Sequence, residues 1–124
     1  MKKKVLIIEN DDDIRGIVSY VLETEGYIVI TAKPWPVEQL ANYKADLILL
    51  DEWVNKKAGH ELCTELKKMH STMHIPVIIL STSPNIQQIA KDCKADGFVN
   101  KPFDLDDLVV EVKKCLRQGS GHLA

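Results

Sequence analysis

The 124-residue sequence predicts an α/β protein, with one doubly wound, five-stranded parallel sheet and helices on both faces. Three observations carry that expectation. Short apolar runs alternate five times with segments of helical periodicity. Several of the runs are continuous in Val, Ile and Leu, as strands are when both faces are buried. A strand-plus-helix unit takes roughly 20 to 25 residues, so five in series use the chain to about position 117.

The first strand is expected at 5–8, the run Val5, Leu6, Ile7 and Ile8. The helix after it has Ile14, Ile17, Val18, Val21 and Leu22 on one face, an acidic start at Asp11, Asp12 and Asp13, and Gly26 as a stop. A second strand at 27–31 leads to a helix at about 36–43 with Val37, Leu40 and Ala41 inward. The third strand, 47–50, precedes a helix carrying Leu62, Cys63, Leu66 and Met69. The fourth, 77–80, precedes a short helix that opens near Pro84 and carries Ile86, Ile89, Ala90 and Cys93. The fifth, 97–100, precedes a helix with Leu105, Leu108, Val109, Val112, Cys115 and Leu116. Asp104 is its expected N-cap, with Asp107 three residues on as in a capping box. One domain is therefore expected over 1–117, and 118–124 reads as a flexible tail, a cut linker or a cloning remnant.

Composition narrows the function classes. The chain is 45% apolar and 27% charged, so it can bury a core. A net charge of −2 argues against a nucleic-acid partner. No apolar run approaches the roughly 20 residues that span a bilayer, and the stretch after Lys2, Lys3 and Lys4 is too short for a signal peptide. A cytoplasmic location and no membrane contact are expected. Cys63, Cys93 and Cys115 form no CxxC pair and read as small core residues. His60, His70, His74 and His122 lack ligand spacing and read as solvated or helix-end residues.

Ligands of open parallel sheets bind beyond the carboxyl ends of the strands. There the sequence places Glu9 and Asn10 after strand one, Asp51 after strand three, Ser81 and Thr82 after strand four, and Lys101 with Pro102 after strand five. Each alone has an ordinary explanation. Asp12 and Asp13 suit a helix start, Asp51 a turn, Ser81 and Thr82 a helix initiation, and Lys101 with Pro102 a strand end. Together they form an oxygen-rich pocket with one ammonium. Glu9 and Asp51 side by side repel, and a hard divalent cation such as magnesium resolves that repulsion. An Asp carboxylate can attack phosphorus, and positive charge from magnesium and Lys101 would stabilise the moving oxygens.

Four ordered pieces carry a resemblance. They are Val5-Leu6-Ile7-Ile8-Glu9-Asn10 followed by Ile14-Arg15, then Asp46-Leu47-Ile48-Leu49-Leu50-Asp51, then Ile75-Pro76-Val77-Ile78-Ile79-Leu80-Ser81, and Gly97-Phe98-Val99-Asn100-Lys101-Pro102-Phe103. The chain resembles the receiver domain of two-component response regulators over residues 4–116. The resemblance implies the flavodoxin-like (βα)5 receiver fold with strand order 2-1-3-4-5. It implies Asp51 as phosphoacceptor, and Glu9, Asn10, Asp51 and the Trp53 backbone carbonyl as magnesium contacts. Ser81 and Thr82 would stand at the switch hydroxyl and its neighbour, Phe98 at the switch aromatic, and Lys101 at the phosphate-binding lysine, with Lys101–Pro102 cis. Implied partners are a sensor histidine kinase or phosphotransfer protein, a downstream protein target, and a second copy docking through helix four, strand five and helix five. Ile86, Gln87, Lys91 and Val110 are expected contributors to that face. Catalysis is expected to extend no further than the chain's own phosphorylation and dephosphorylation.

Several positions depart from the family pattern. Asn10 replaces a carboxylate, so weaker magnesium binding is expected. Asn55 stands where the family has proline. Trp53 is large and is expected to shield the site, and Thr82 to narrow access. The stretch between Ser81 and Phe98 is short, which predicts a displaced fourth helix. The competing reading is a receiver-like docking module with weak or no phosphorylation. Enzymes on the same fold fit less well. A flavodoxin needs a Ser/Thr/Gly-rich loop where Glu9 to Asp13 would repel phosphate, and a haloacid-dehalogenase-type phosphatase needs a second Asp where Trp53 stands.

Overall fold

The computed structural model describes residues 2–34, 36–54 and 57–121. The main strands are β1 (Lys4–Ile8), β2 (Ile28–Thr31), β3 (Leu47–Asp51), β6 (Val77–Ser81) and β7 (Gly97–Asn100). A small hairpin of β4 (Trp53–Val54) and β5 (Lys57–Ala58) follows β3. The helices are α1 (Asp12–Thr24), the 3-10 helix η1 (Val37–Tyr43), α2 (Gly59–Lys68), α3 (Ile86–Asp92) and α4 (Leu105–Gly121).

The sheet is parallel throughout, in the order β2-β1-β3-β6-β7, which is 2-1-3-4-5 counted over the main strands. Ile8 pairs with Leu50, Asp51 with Leu80 and Ser81 with Asn100. This register lines up the chemistry-bearing strand ends. Residues 47–50 are buried on both faces, which is why that run is continuous rather than alternating. Leu6, Ile8, Ile48, Leu50 and Ile79 pack against η1, α2 and α3 on one face. Val5, Ile7, Leu47, Leu49 and Ile78 pack against α1 and α4 on the other. Each such side chain removed from water contributes roughly 1.5–3 kcal/mol.

Asp11 caps α1, its Oδ1 accepting from Asp13 N at 2.9 Å and Ile14 N at 3.0 Å. Asp12 and Asp13 are exposed in the first turn, where they complement the helix dipole. The reversal after α1 passes through Gly26 at φ +96°, a backbone that favours glycine. The helix α4 begins after Asp104, whose carbonyl accepts from Leu108 N at 3.2 Å.

Three elements differ from expectation. The second helix is a 3-10 helix, entered from an extended Pro36 with no side-chain cap and closed by Lys44 in the left-handed region. The β4–β5 hairpin has no counterpart in the sequence reading, because two-residue strands carry no periodicity. The final helix continues to Gly121, past the expected end at Arg117, through residues whose helix propensity is poor. His122, Leu123 and Ala124, like Asn55, lie outside the described residues.

Candidate functional site

β1, β3 and β7 deliver Glu9, Asp51 and Lys101 to one point beyond the carboxyl edge of the sheet. Lys101 Nζ donates to Asp51 Oδ1 at 2.7 Å and lies 3.3 Å from each Glu9 carboxylate oxygen. The side chains are 14% exposed for Lys101, 13% for Asp51 and 2% for Glu9, so these ion pairs are only weakly screened. Burial raises the Glu9 carboxyl above its ordinary value, the Asp51 charge raises it further, and Lys101 pulls it back in part. Burial alone would lower the Lys101 ammonium, but Asp51 and Glu9 together outweigh that and raise it. The pocket thus holds one buried cation against two carboxylates, and its geometry favours more positive charge.

The loops are held by backbone contacts. Glu9 Oε1 accepts from Asp11 N at 3.3 Å. Arg15 donates from Nη1 to the Glu9 carbonyl at 2.8 Å and also pairs with Asp12, so α1 clamps the loop that carries Asn10. Asn10 itself is exposed. Lys101 N donates to the Ser81 carbonyl at 2.8 Å, and the Lys101–Pro102 peptide is cis. Ser81 is buried, its Oγ accepting from Ser83 N at 2.9 Å. Thr82 is exposed beside Lys101, lining a largely apolar groove of about 520 Å³ between α1 and the start of α4. Phe98 is half-buried on the outer strand β7.

Trp53, two residues after Asp51, is 62% exposed on β4. One expectation is corrected. Ile86, expected on the docking face, is 3% exposed and packs in the core, since it opens α3 against β6. Gln87, Lys91 and Val110 are exposed there, and α3 is short as expected.

Sequence reasoning missed the support behind Asp51. Glu52 is 4% exposed and accepts from, or donates to, His60 Nδ1 at 2.6 Å. Its Oε2 has no hydrogen-bond partner among the described residues. Gly59, the first residue of α2, donates its N–H to the Glu52 carbonyl, and a Cβ there would collide with the Asp51 carbonyl. A spacing of eight between Glu52 and His60 matches no helix or strand period, so nothing in the sequence signalled the pair.

The chain matches the response regulator receiver domain over residues 5–113. It belongs to that family. Relatives include the nitrogen assimilation regulatory protein NtrX of Azorhizobium caulinodans, 34% identical over 94% of this chain and 26% of the relative. The phosphate regulon transcriptional regulatory protein PhoB of Escherichia coli is 30% identical over 95% of this chain and 53% of its own length. The receiver thus spans about a quarter to a half of these curated relatives. Among solved structures, the chemotaxis protein CheY4 of Vibrio cholerae superposes with a TM-score of 0.82 at 27% identity, covering 93% of this chain and 99% of the other. A CheY-like receiver domain protein of Methanospirillum hungatei gives 0.86 at 25% identity, covering 98% and 99%. This receiver is a two-component signalling module. Among the described residues no helix is long and apolar enough to cross a membrane.

Proposed function

We propose that this receiver is a phosphorylation-switched signalling protein in which Asp51 accepts a phosphoryl group from a histidine kinase, a phosphotransfer protein or a small acyl phosphate. The observation that carries the reading is the Lys101 ammonium set against Asp51 and Glu9 at 2.7 and 3.3 Å. In this reading an Asp51 carboxylate oxygen attacks the phosphorus, the P–N bond of a phosphohistidine breaks, and an acyl phosphate forms on Asp51. The imidazole leaves with the bonding pair and takes up a proton. Lys101 turns from the Asp51 oxygen to a phosphoryl oxygen. The Ser81 hydroxyl donates a hydrogen bond to another.

Glu9, Asp51, the Asn10 amide and the Trp53 carbonyl offer oxygen donors, the set a hard divalent cation takes, and the doubled carboxylate charge suits one. Magnesium bound there would neutralise charge on the phosphoryl oxygens. The apolar groove formed by Ile14, Ile17, Val18 and Phe103 reaches Lys101 and offers a surface beside the site for a phosphodonor protein.

Intact-mass measurement with and without a phosphodonor and magnesium tests the reading. One added phosphate, absent in Asp51→Asn, is expected. Adduct that persists in Asp51→Asn overturns Asp51 as acceptor. The exposed amide of Asn10 supports a second reading, a docking module that binds its partner without phosphorylation. Partner binding that is the same with and without the phosphodonor would select it.

A further inference from the structure

Cys63, in the middle of α2, and Cys93, the cap at the end of α3, are 30 residues apart in sequence and adjacent in space. Cys63 Sγ donates to the Cys93 carbonyl at 3.3 Å, which sets the Cys63 side chain against the backbone of Cys93. Cys93 Sγ donates to Ala90 O at 3.6 Å. All three cysteines are free thiols. Cys63 is sealed in the core at 0% exposure, whereas Cys93, 3% exposed, lines a pocket of about 220 Å³ rimmed by Lys67, Lys68, Lys94 and Asp92. Lys67 is engaged by Asp96 and the Ile75 carbonyl, while Lys68 and Lys94 are exposed and put positive charge at the mouth.

We propose that Cys63 and Cys93 are a redox-modification site, joined by a peroxide into an intramolecular disulfide that fastens α2 to the end of α3. The thiolate is the nucleophile in thiol oxidation, and thiols that titrate near ambient pH attack best. The neighbouring Cys63 thiol brings the Cys93 thiol down to about 7, helped by the Ala95 amide and His60 and opposed by burial and the Glu52 charge. The same contact, with burial, pushes Cys63 well above the usual thiol range. The roles therefore divide. Cys93 sulfur attacks one peroxide oxygen, the O–O bond breaks, and Cys93 becomes a sulfenic acid as hydroxide leaves and picks up the thiol proton. Cys63 sulfur then attacks the Cys93 sulfur. The S–O bond breaks, the S–S bond forms, and the second hydroxide leaves as water with the Cys63 proton. Two thiols and one peroxide give one disulfide and two waters.

Cys115 is the internal control. Its contacts are the Asp96 carbonyl at 3.8 Å and Glu111 Oε2 at 3.9 Å, and burial pushes it up to about 12. The test treats the intact chain with hydrogen peroxide, unfolds it in denaturant and counts free thiols, with glutathione as a control for oxidant. The count should fall from three to one. Proteolysis without reductant should yield a Cys63–Cys93 linked peptide, in the wild type and in Cys115→Ser alike. In Cys63→Ser, dimedone should trap Cys93 as the sulfenic acid. Three thiols remaining while glutathione oxidises, or a bond that includes Cys115 or joins two chains, overturns the proposal.

Discussion

Asn10 is an exposed amide on the loop that also carries Glu9, whose side chain is 2% exposed. Two formal charges at contact interact by up to a few kcal/mol at an effective dielectric of about 20, and exposure reduces that. Asn10→Asp should therefore tighten magnesium binding by about tenfold, or about 1.4 kcal/mol. Without metal the variant should be less stable than the parent, and magnesium should restore the loss by mass action. Its thermal midpoint should climb more steeply with magnesium than the parent's. Equal affinities, titrated through tryptophan fluorescence, would place Asn10 outside the metal contacts. Glu9, Asp51 and Lys101 were legible because strand ends are where side chains of a parallel sheet converge. The exposure of Trp53 and the pairing of Glu52 with His60 were not, because they depend on how a short loop turns after Asp51.

That loop is best judged as an element. The β4–β5 hairpin leads into α2 at Gly59, whose missing Cβ lets the helix start against the Asp51 carbonyl. Gly59→Ala should cost about 1–3 kcal/mol by overpacking and slow phosphorylation by displacing Asp51. Gly16, inside α1, has nothing within 4 Å of where a Cβ would stand. Gly16→Ala should stabilise by about 0.5–1 kcal/mol through helix propensity, with phosphorylation unchanged. Chemical denaturation of the two variants checks the contrast, and equal effects would sink it. The strands β1, β3 and β6 could be read in advance because burial on both faces leaves continuous apolar runs. The 3-10 geometry of η1 could not, because Val37 and Leu40 fit an α-helix and a 3-10 helix equally well at seven residues. Nor could the adjacency of Cys63 and Cys93, since it arises only when α2 and α3 settle on the same face of the sheet.

Across the molecule, Ser81 and Phe98 lie on the adjacent strands β6 and β7, and α3 and α4 flank the outer strand. A cleft of about 550 Å³ runs there between Lys91 on α3 and Glu111 on α4, with Phe98 at its floor. Phosphorylation that pulls Ser81 toward Asp51 would shift β6 against β7 and repack Phe98. Beryllofluoride with magnesium should therefore change the sedimentation behaviour or the partner affinity of this face. Lys91→Glu should weaken the activated association by several-fold through the reversed charge at its rim. Identical behaviour in both states would favour the passive docking module.

The ion cluster also constrains how the chain reaches its native state. Lys101 meets Glu9 across 92 positions of sequence and Asp51 across 50. Pairing of β1 with β3 brings Glu9 and Asp51 together, but the ammonium arrives only once β7 has docked at the far side of β6. A chain that zips the central strands first must therefore bring two like charges together before their counterion is in place. Folding at neutral pH then climbs an electrostatic barrier of the chain's own making. Refolding followed by tryptophan fluorescence should run faster in millimolar magnesium, or in Glu9→Gln without metal, than in the parent without metal.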